Sequence, residues 1–178
     1  MPQLQEQLYD ISYIEALPEG VRAELIDGVV YNLAAPSGTH QRILGNLTHD
    51  IIAYIRRHRG PCQVFPAPYA VYLFDDEYTY LEPDLSVICD PSKLDEKGCH
   101  GAPDFVIEIV SPTSRQMDYM VKFFRYHDAG VKEYWIVDPT KKTVRIYDFI
   151  KNETEDYPFE AAIPSALFPG LTLRLANY

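Results

Sequence analysis

Two carboxylates stand in stretches of this chain where a charge is costly. Glu82-Pro83-Asp84 opens the apolar run Leu85-Ser86-Val87-Ile88-Cys89, and Glu108 interrupts Phe105-Val106-Ile107-Glu108-Ile109-Val110. An ionised carboxylate in a strand covered on both faces is strongly destabilising unless something compensates it. A divalent cation is the commonest reason to gather two acids in one place. The pattern points to metal-dependent hydrolysis.

Strand geometry decides which acids can share an ion. Asp104 and Glu108 lie on one strand at an even spacing and share a face, but four residues at about 3.3 Å each separate their backbones by roughly 13 Å. Asp84 and Glu108 come from different strands, and as sheet neighbours their backbones would lie about 5 Å apart. Magnesium takes about six oxygens near 2 Å and usually keeps several waters. Two carboxylates and a backbone carbonyl, that of Ile109, would supply the protein's share. Asp118 and Lys122, four apart on a helix after Glu108, share one helix face, with Arg115 a turn earlier. That helix can return Lys122 over the acids, where its charge would orient or activate a water and stabilise a phosphate. On spacing alone, a surface Asp118–Lys122 pair worth little to stability is the commoner outcome.

The elements that must position these groups are legible in outline. Ser12 can cap a short helix that Pro18 and Gly20 end. Arg22 to Ile26 and Val29 to Ala34 read as a hairpin around Asp27-Gly28, a pair suited to the positive φ angles of a tight turn. Thr39 can cap a helix from His40 to about Arg59, with Leu44, Leu47, Ile51 and Ile55 as its core stripe. Strands are expected at Val64-Phe65 and from Tyr69 to Phe74, with Asp75-Asp76-Glu77 as an acidic turn. Asp84 to Cys89 and Asp104 to Val110 are the two buried strands, each preceded by a proline at a position where a missing N–H does least harm. A helix from about Ser114 to Ala129 follows, closed by Gly130, with Met117, Val121 and Phe124 on its buried face. Glu133 to Val137 and Thr143 to Phe149 pair across the turn Asp138-Pro139-Thr140-Lys141, and Leu171 to Leu175 ends in a short strand. Helices around a mixed sheet make the fold class α/β (α+β).

Composition narrows the field. With 178 residues, 47% hydrophobic and 24% charged, the chain fits one domain, residues 1–178, with an ordinary core. Its formal net charge of −10 argues against a broad basic nucleic-acid face, though a local channel or bound cations remain compatible with it. Arg56-Arg57-His58-Arg59 and Lys141-Lys142 are compact basic runs of the kind that usually end helices and turns. The 3 cysteines show neither a Cys-x-x-Cys spacing nor a disulfide framework. Cys89 reads as a small core residue, and Cys99-His100 as a plain loop. Met1 to Glu6 carries no basic leader, and no apolar run approaches a membrane span, so the expected setting is the cytoplasm, with no membrane partner.

Several segments together resemble one protein family. They are Glu24-Leu25-Ile26-Asp27-Gly28, Ser37-Gly38-Thr39-His40, Pro83-Asp84, and Phe105 through Glu108 to Ser111-Pro112-Thr113-Ser114. Asp118, Lys122, Tyr126, Gly130-Val131, Glu133-Tyr134-Trp135-Ile136-Val137-Asp138-Pro139 and Phe168-Pro169-Gly170-Leu171 continue the likeness. The chain is similar to a large bacterial family of restriction-endonuclease-like proteins in the PD-(D/E)XK nuclease superfamily. That resemblance implies a restriction-endonuclease-like fold, a central mixed β-sheet flanked by α-helices. It also implies an endonuclease that uses Mg²⁺, or Mn²⁺, to hydrolyse nucleic-acid phosphodiesters. Asp84 is then the first acid and Glu108 the second. The superfamily's lysine would fall two residues after Glu108, where this chain has Val110, and the related family instead carries it on the following helix, at Lys122. Glu24 and His40 also match family positions. Glu24 would help hold a second ion or a metal-bound water, or else cap the hairpin; His40 would contact the phosphate or position an acid, or else simply begin a helix.

Two classes of function follow. The first is a homodimeric DNA endonuclease with Asp84, Glu108 and Lys122 at its centre. The second is a non-catalytic nucleic-acid- or protein-binding module that keeps the fold, which the acidic balance and the missing strand lysine favour. Hydrolysis of a smaller phosphodiester is a third option, because the constellation specifies phosphate chemistry better than it specifies the polymer.

Overall fold

Phe105, Ile107 and Ile109 face one way from their strand, Val106, Glu108 and Val110 the other, and these two faces become the protein's two cores. In the computed structural model, which describes residues 7–111 and 114–176, that strand lies near the middle of a six-stranded sheet. Met1 to Glu6 and the motif residues Pro112 and Thr113 lie outside the described residues.

The chain begins with helix α1 (Ile11–Glu15) and a hairpin of β1 (Ala23–Ile26) and β2 (Val29–Asn32). Asp27 and Gly28 take φ angles of 52° and 79°, as the turn requires. Helix α2 (Gly38–His58) leads to β3 (Gln63–Pro66), β4 (Val71–Tyr72) and β5 (Leu85–Ile88). After β6 (Cys99–His100) and β7 (Phe105–Ile109) come a π-helical segment (Met117–Lys122) and helix α3 (Phe123–Ala129). Strands β8 (Glu133–Asp138), β9 (Thr143–Asp148) and β10 (Glu153–Pro158) follow, then β11 (Ile163–Pro164) and β12 (Thr172–Leu173). The large sheet runs β10-β9-β8-β7-β5-β3, parallel between β7 and β8 and antiparallel elsewhere. The expected α+β class with a mixed central sheet is what the chain adopts.

The apolar stripe of α2 (Ile43, Leu44, Leu47, Ile51 and Ile55) covers one face of the sheet together with the C-terminal segment. The hairpin, β4 and the π-helical segment with α3 cover the other. Glu108 therefore sits inside the second core, on the face that receives Tyr126 and Tyr134.

Several local expectations give way to specific chemistry. Asp10, not Ser12, caps α1: its carboxylate accepts the Ser12 N–H at 2.9 Å. Ser37, not Thr39, caps α2 by accepting the His40 N–H at 3.2 Å, so the helix starts at Gly38. The helix after Glu108 is not uniformly α-helical. Its π-helical turn rotates the following residues, leaving Phe124 58% exposed while Phe123 turns in against Tyr147 and Phe149. The cysteine reading is also overturned. Gln63 pairs with Ile88, so Cys62 and Cys89 flank that pair on adjacent strands, and they form a disulfide. Cys99, expected in a loop, is a buried free cysteine in a short strand parallel to β4. Strand β10 carries no strand signal in the sequence: its residues, Glu153 to Pro158, are mostly exposed and show no apolar alternation.

Candidate active site

The register of β5 and β7 pairs Leu85 with Ile107, which places Asp84 opposite Glu108 at the strand ends. Opposed residues of an antiparallel pair project to the same side. The two acids accordingly meet through the backbone. The Asp84 N–H points to Glu108 Oε2 at 3.4 Å, and the Ile109 N–H donates to Asp84 Oδ2 at 2.7 Å. His40, at the start of α2, brings Nε2 to 3.0 Å from Asp84 Oδ1, while its Nδ1 is buried without a hydrogen-bond partner among the described residues.

Lys122 comes in from the opposite side. Its Nζ donates to Glu24 Oε1 and Glu108 Oε1, each at 2.9 Å, and lies 3.7 Å from Asp118 Oδ1. Tyr126, one turn further on, donates its hydroxyl to Glu108 Oε1 at 2.7 Å. The Glu82 N–H donates to Glu24 Oε1 at 3.0 Å, which ties the hairpin to the segment just before Asp84. Glu24, Asp84, Glu108, Lys122 and His40, all expected from the sequence, therefore converge on one centre. Ile109 enters it through its N–H.

Tyr126 and Asp118 complete the centre, and the sequence holds a signal for both. Asp118, Lys122 and Tyr126 follow at four-residue steps, a polar stripe along one helix face that is buried in the fold. The surface-pair outcome for Asp118 and Lys122 is thereby excluded: both are buried.

The charge balance of this centre is unusual. Three carboxylates, Glu24, Glu108 and Asp118, share one ammonium, and Asp84 adds a fourth acid beside Glu108. Burial raises the Glu108 carboxyl well above the ordinary range; Lys122 opposes the rise, and Asp118, Asp84 and Glu24 add to it. Asp118 is pushed up to about 6, mainly by burial, against the pull of Lys122 and its Ser114 hydrogen bond. Burial alone would lower Lys122, yet Glu108, Glu24 and Asp118 outweigh it and hold the ammonium charged. The Tyr126 hydroxyl is raised by burial and by Glu108, so it stays protonated and donates.

Whether a divalent cation fits depends on which oxygens are free. Glu108 Oε1 is occupied by Lys122 and Tyr126, whereas Oε2 meets the Asp84 N–H at 3.4 Å, a weak contact. Asp84 keeps lone pairs on both oxygens beside His40 and Ile109. Among the described residues, no group of three or more His, Cys, Asp or Glu stands ready to hold a metal. Two carboxylates are nevertheless a suitable donor set for magnesium, which keeps much of its water shell. Two surface hollows, one along β9, β10 and Pro164–Ala166 and the other between α2 and residues 170–173, include none of these acids.

The mixed α+β sheet with acids at the ends of adjacent strands is similar to a nuclease-like structure, as comparison with known proteins shows. The crystal structure of a putative nuclease belonging to DUF820 from Anabaena variabilis matches with a TM-score of 0.75 and 26% identity, over 93% of this chain and 94% of that one. The chain belongs to the Uma2 family, described as "Putative restriction endonuclease", which matches residues 6–176. An uncharacterized protein of Synechocystis sp. is 26% identical over 135 residues, 75% of this chain and 68% of its own length. Among the described residues, no helix is long and apolar enough to cross a membrane.

Proposed function

We propose that this chain is a divalent-cation-dependent endonuclease that hydrolyses DNA phosphodiesters. The observation that carries the reading is the opposition of Asp84 and Glu108 across adjacent strands, with Lys122 Nζ 2.9 Å from Glu108. Asp84, Glu108 and the Ile109 carbonyl would hold the ion. Bound there, magnesium or manganese would polarise a phosphate oxygen and lower the pKa of a water.

The chain's own groups set that chemistry up. Lys122 and Tyr126 fix Glu108 Oε1, which leaves Oε2 turned toward Asp84. The Ile109 N–H and His40 Nε2 hold the Asp84 carboxylate from two sides. The Lys122 charge favours, through space, the extra negative charge of the transition state. In-line attack of water on phosphorus would break the bond to the 3′ oxygen and leave a 5′-phosphate. A homodimer related by a two-fold axis would address both strands. The reading places the protein in the cytoplasm, and the Cys62–Cys89 disulfide is the feature that stands against it, because thiols there are kept reduced.

The test is cleavage of single- and double-stranded DNA with and without Mg²⁺ or Mn²⁺, alongside the Glu108→Ala protein. The reading expects metal-dependent cutting that Glu108→Ala lacks; equal cutting by both proteins would end it. A second reading, a binding module without catalysis, draws on the net charge of −10 and on a lysine whose amine is spent on buried acids. Nucleic-acid binding without metal uptake would favour it.

A further inference from the structure

Lys122 is where the expected nuclease centre and the observed one diverge. A lysine that contacts a phosphate or an attacking water needs at least one N–H open to the substrate. Here the side chain is 6% exposed. Of its three N–H donors, two hydrogen-bond to Glu24 from β1 and Glu108 from β7, and the buried ammonium also faces Asp118 of the π-helical segment at 3.7 Å.

The acceptor atoms are committed as well. Glu24 Oε1 takes Lys122 and the Glu82 N–H; Glu108 Oε1 takes Lys122 and the Tyr126 hydroxyl. The separations of 2.9, 2.9 and 3.7 Å suit an ammonium. They exceed the roughly 2.0–2.1 Å of magnesium–oxygen bonds. On the other side of Glu108, the Asp84 carboxylate has a histidine and a backbone N–H as partners and, among the described residues, no lysine.

Resting on the nuclease reading above, we infer that the Lys122 ammonium is a resident cation in the place a second divalent ion would take. The centre then binds one divalent ion, through Asp84 and Glu108, and Glu24 serves the lysine instead of an ion. Lys122 is on this inference a positioning residue: it neutralises and orients Glu108 and does not touch the scissile phosphate.

The experiment is calorimetric titration of the full chain with Mn²⁺ in the absence of DNA, comparing the parent with Lys122→Met. Methionine matches the lysine stem out to Cε and lacks the ammonium, so the emptied acidic pocket gains a use for a cation. The expected result is one more ion per chain in Lys122→Met than in the parent, with a melting midpoint that rises on adding Mn²⁺. An unchanged stoichiometry would overturn the inference, as would two ions on the parent. If the parent binds no ion, the nuclease reading fails, while the inference still requires Lys122→Met to bind one. Should Lys122→Met not fold with or without Mn²⁺, Glu24→Gln decides. A residue serving the lysine leaves ion affinity within about threefold of the parent, because only a through-space charge effect is lost. A loss of tenfold or more would make Glu24 a ligand and overturn the inference.

Discussion

Asp84 and Glu108 are held by each other's strands: the Asp84 N–H faces Glu108 Oε2, and the Ile109 N–H, one residue past Glu108, donates to Asp84 Oδ2. This exchange fixes both carboxylates near one another through backbone N–H groups, independently of any metal ion. It also separates their two contributions, hydrogen bonding to the fold and charge to the chemistry. An asparagine at position 84 keeps an acceptor for the Ile109 N–H and removes one negative charge from a crowded centre. Asp84→Asn should therefore melt at the same temperature as the parent or higher in the presence of a chelator, yet cut DNA about 100-fold or more slowly with Mn²⁺. A variant that is strongly destabilised, or that cuts at the parental rate, would contradict this division.

Tyr126 tests the orientation of Glu108. Its buried hydroxyl donates to the same oxygen as Lys122. Tyr126→Phe removes one hydrogen bond to a charged acceptor and nothing else of size, so it should cost about 1–2 kcal/mol of stability. Loosening a ligand's hydrogen-bond partner should lower metal affinity roughly tenfold. Urea denaturation and Mn²⁺ titration read the two effects independently, and an unchanged affinity would show that Lys122 alone orients Glu108.

Much of this centre could be read from the chain because strand periodicity is a strict rule. Acids interrupting two apolar runs had to lie on one side of neighbouring strands or be ruined by desolvation, and the pairing of Leu85 with Ile107 delivers the first outcome. The α2 stripe was legible for the same reason. What escaped depended on choices with nearly equal local energies. Ser37 and Thr39 are both competent caps, and only the path of the chain out of the hairpin selects Ser37. Phe123 and Phe124 are adjacent aromatics, and a π-helical turn, which leaves no signature in apolar spacing, decides which one is buried. The Cys62–Cys89 bond depends on the pairing of β3 with β5, a long-range register that cysteine spacing does not encode.

Asp118 gives the centre a pH dependence of definite sign. Its carboxyl moves from 3.8 up to about 6, chiefly by burial. A folded-state value above the unfolded one means that the protonated acid favours the fold. That contribution is fully present below the unfolded value and is lost as pH rises through about 6. Near pH 7.5 the ionised carboxylate should burden the metal-free protein by about 1–3 kcal/mol. Asp118→Asn, neutral throughout, should be the more stable protein at that pH, and its advantage should vanish by about pH 4. Urea midpoints across this range measure it. A stability difference that is flat with pH, or of opposite sign, would mean that the Lys122–Asp118 attraction outweighs burial.

Glu133 offers the control that separates fold from chemistry. It is a fully buried carboxylate, like Glu108, but every neighbour is a donor. Trp135 Nε1 and the Ala166 N–H donate to Oε1 at 2.6 and 2.9 Å; Ser165 Oγ and the Leu167 N–H donate to Oε2 at 2.7 and 2.8 Å. Four donors from two segments satisfy one charge, and together they bind the chain around Ser165 to β8. Glu133→Ala would strand all four in the core, so it should cost roughly 3–5 kcal/mol, the scale for removing one partner of a buried charged network. Glu133 lies on β8, paired in register with Phe105 at the opposite end of β7 from Glu108. Whatever fraction of Glu133→Ala remains folded should bind Mn²⁺ with parental affinity. A stability loss below about 1 kcal/mol would show that water replaces the carboxylate at low cost, and altered ion binding in the folded fraction would show that the C-terminal segment reaches the acidic centre.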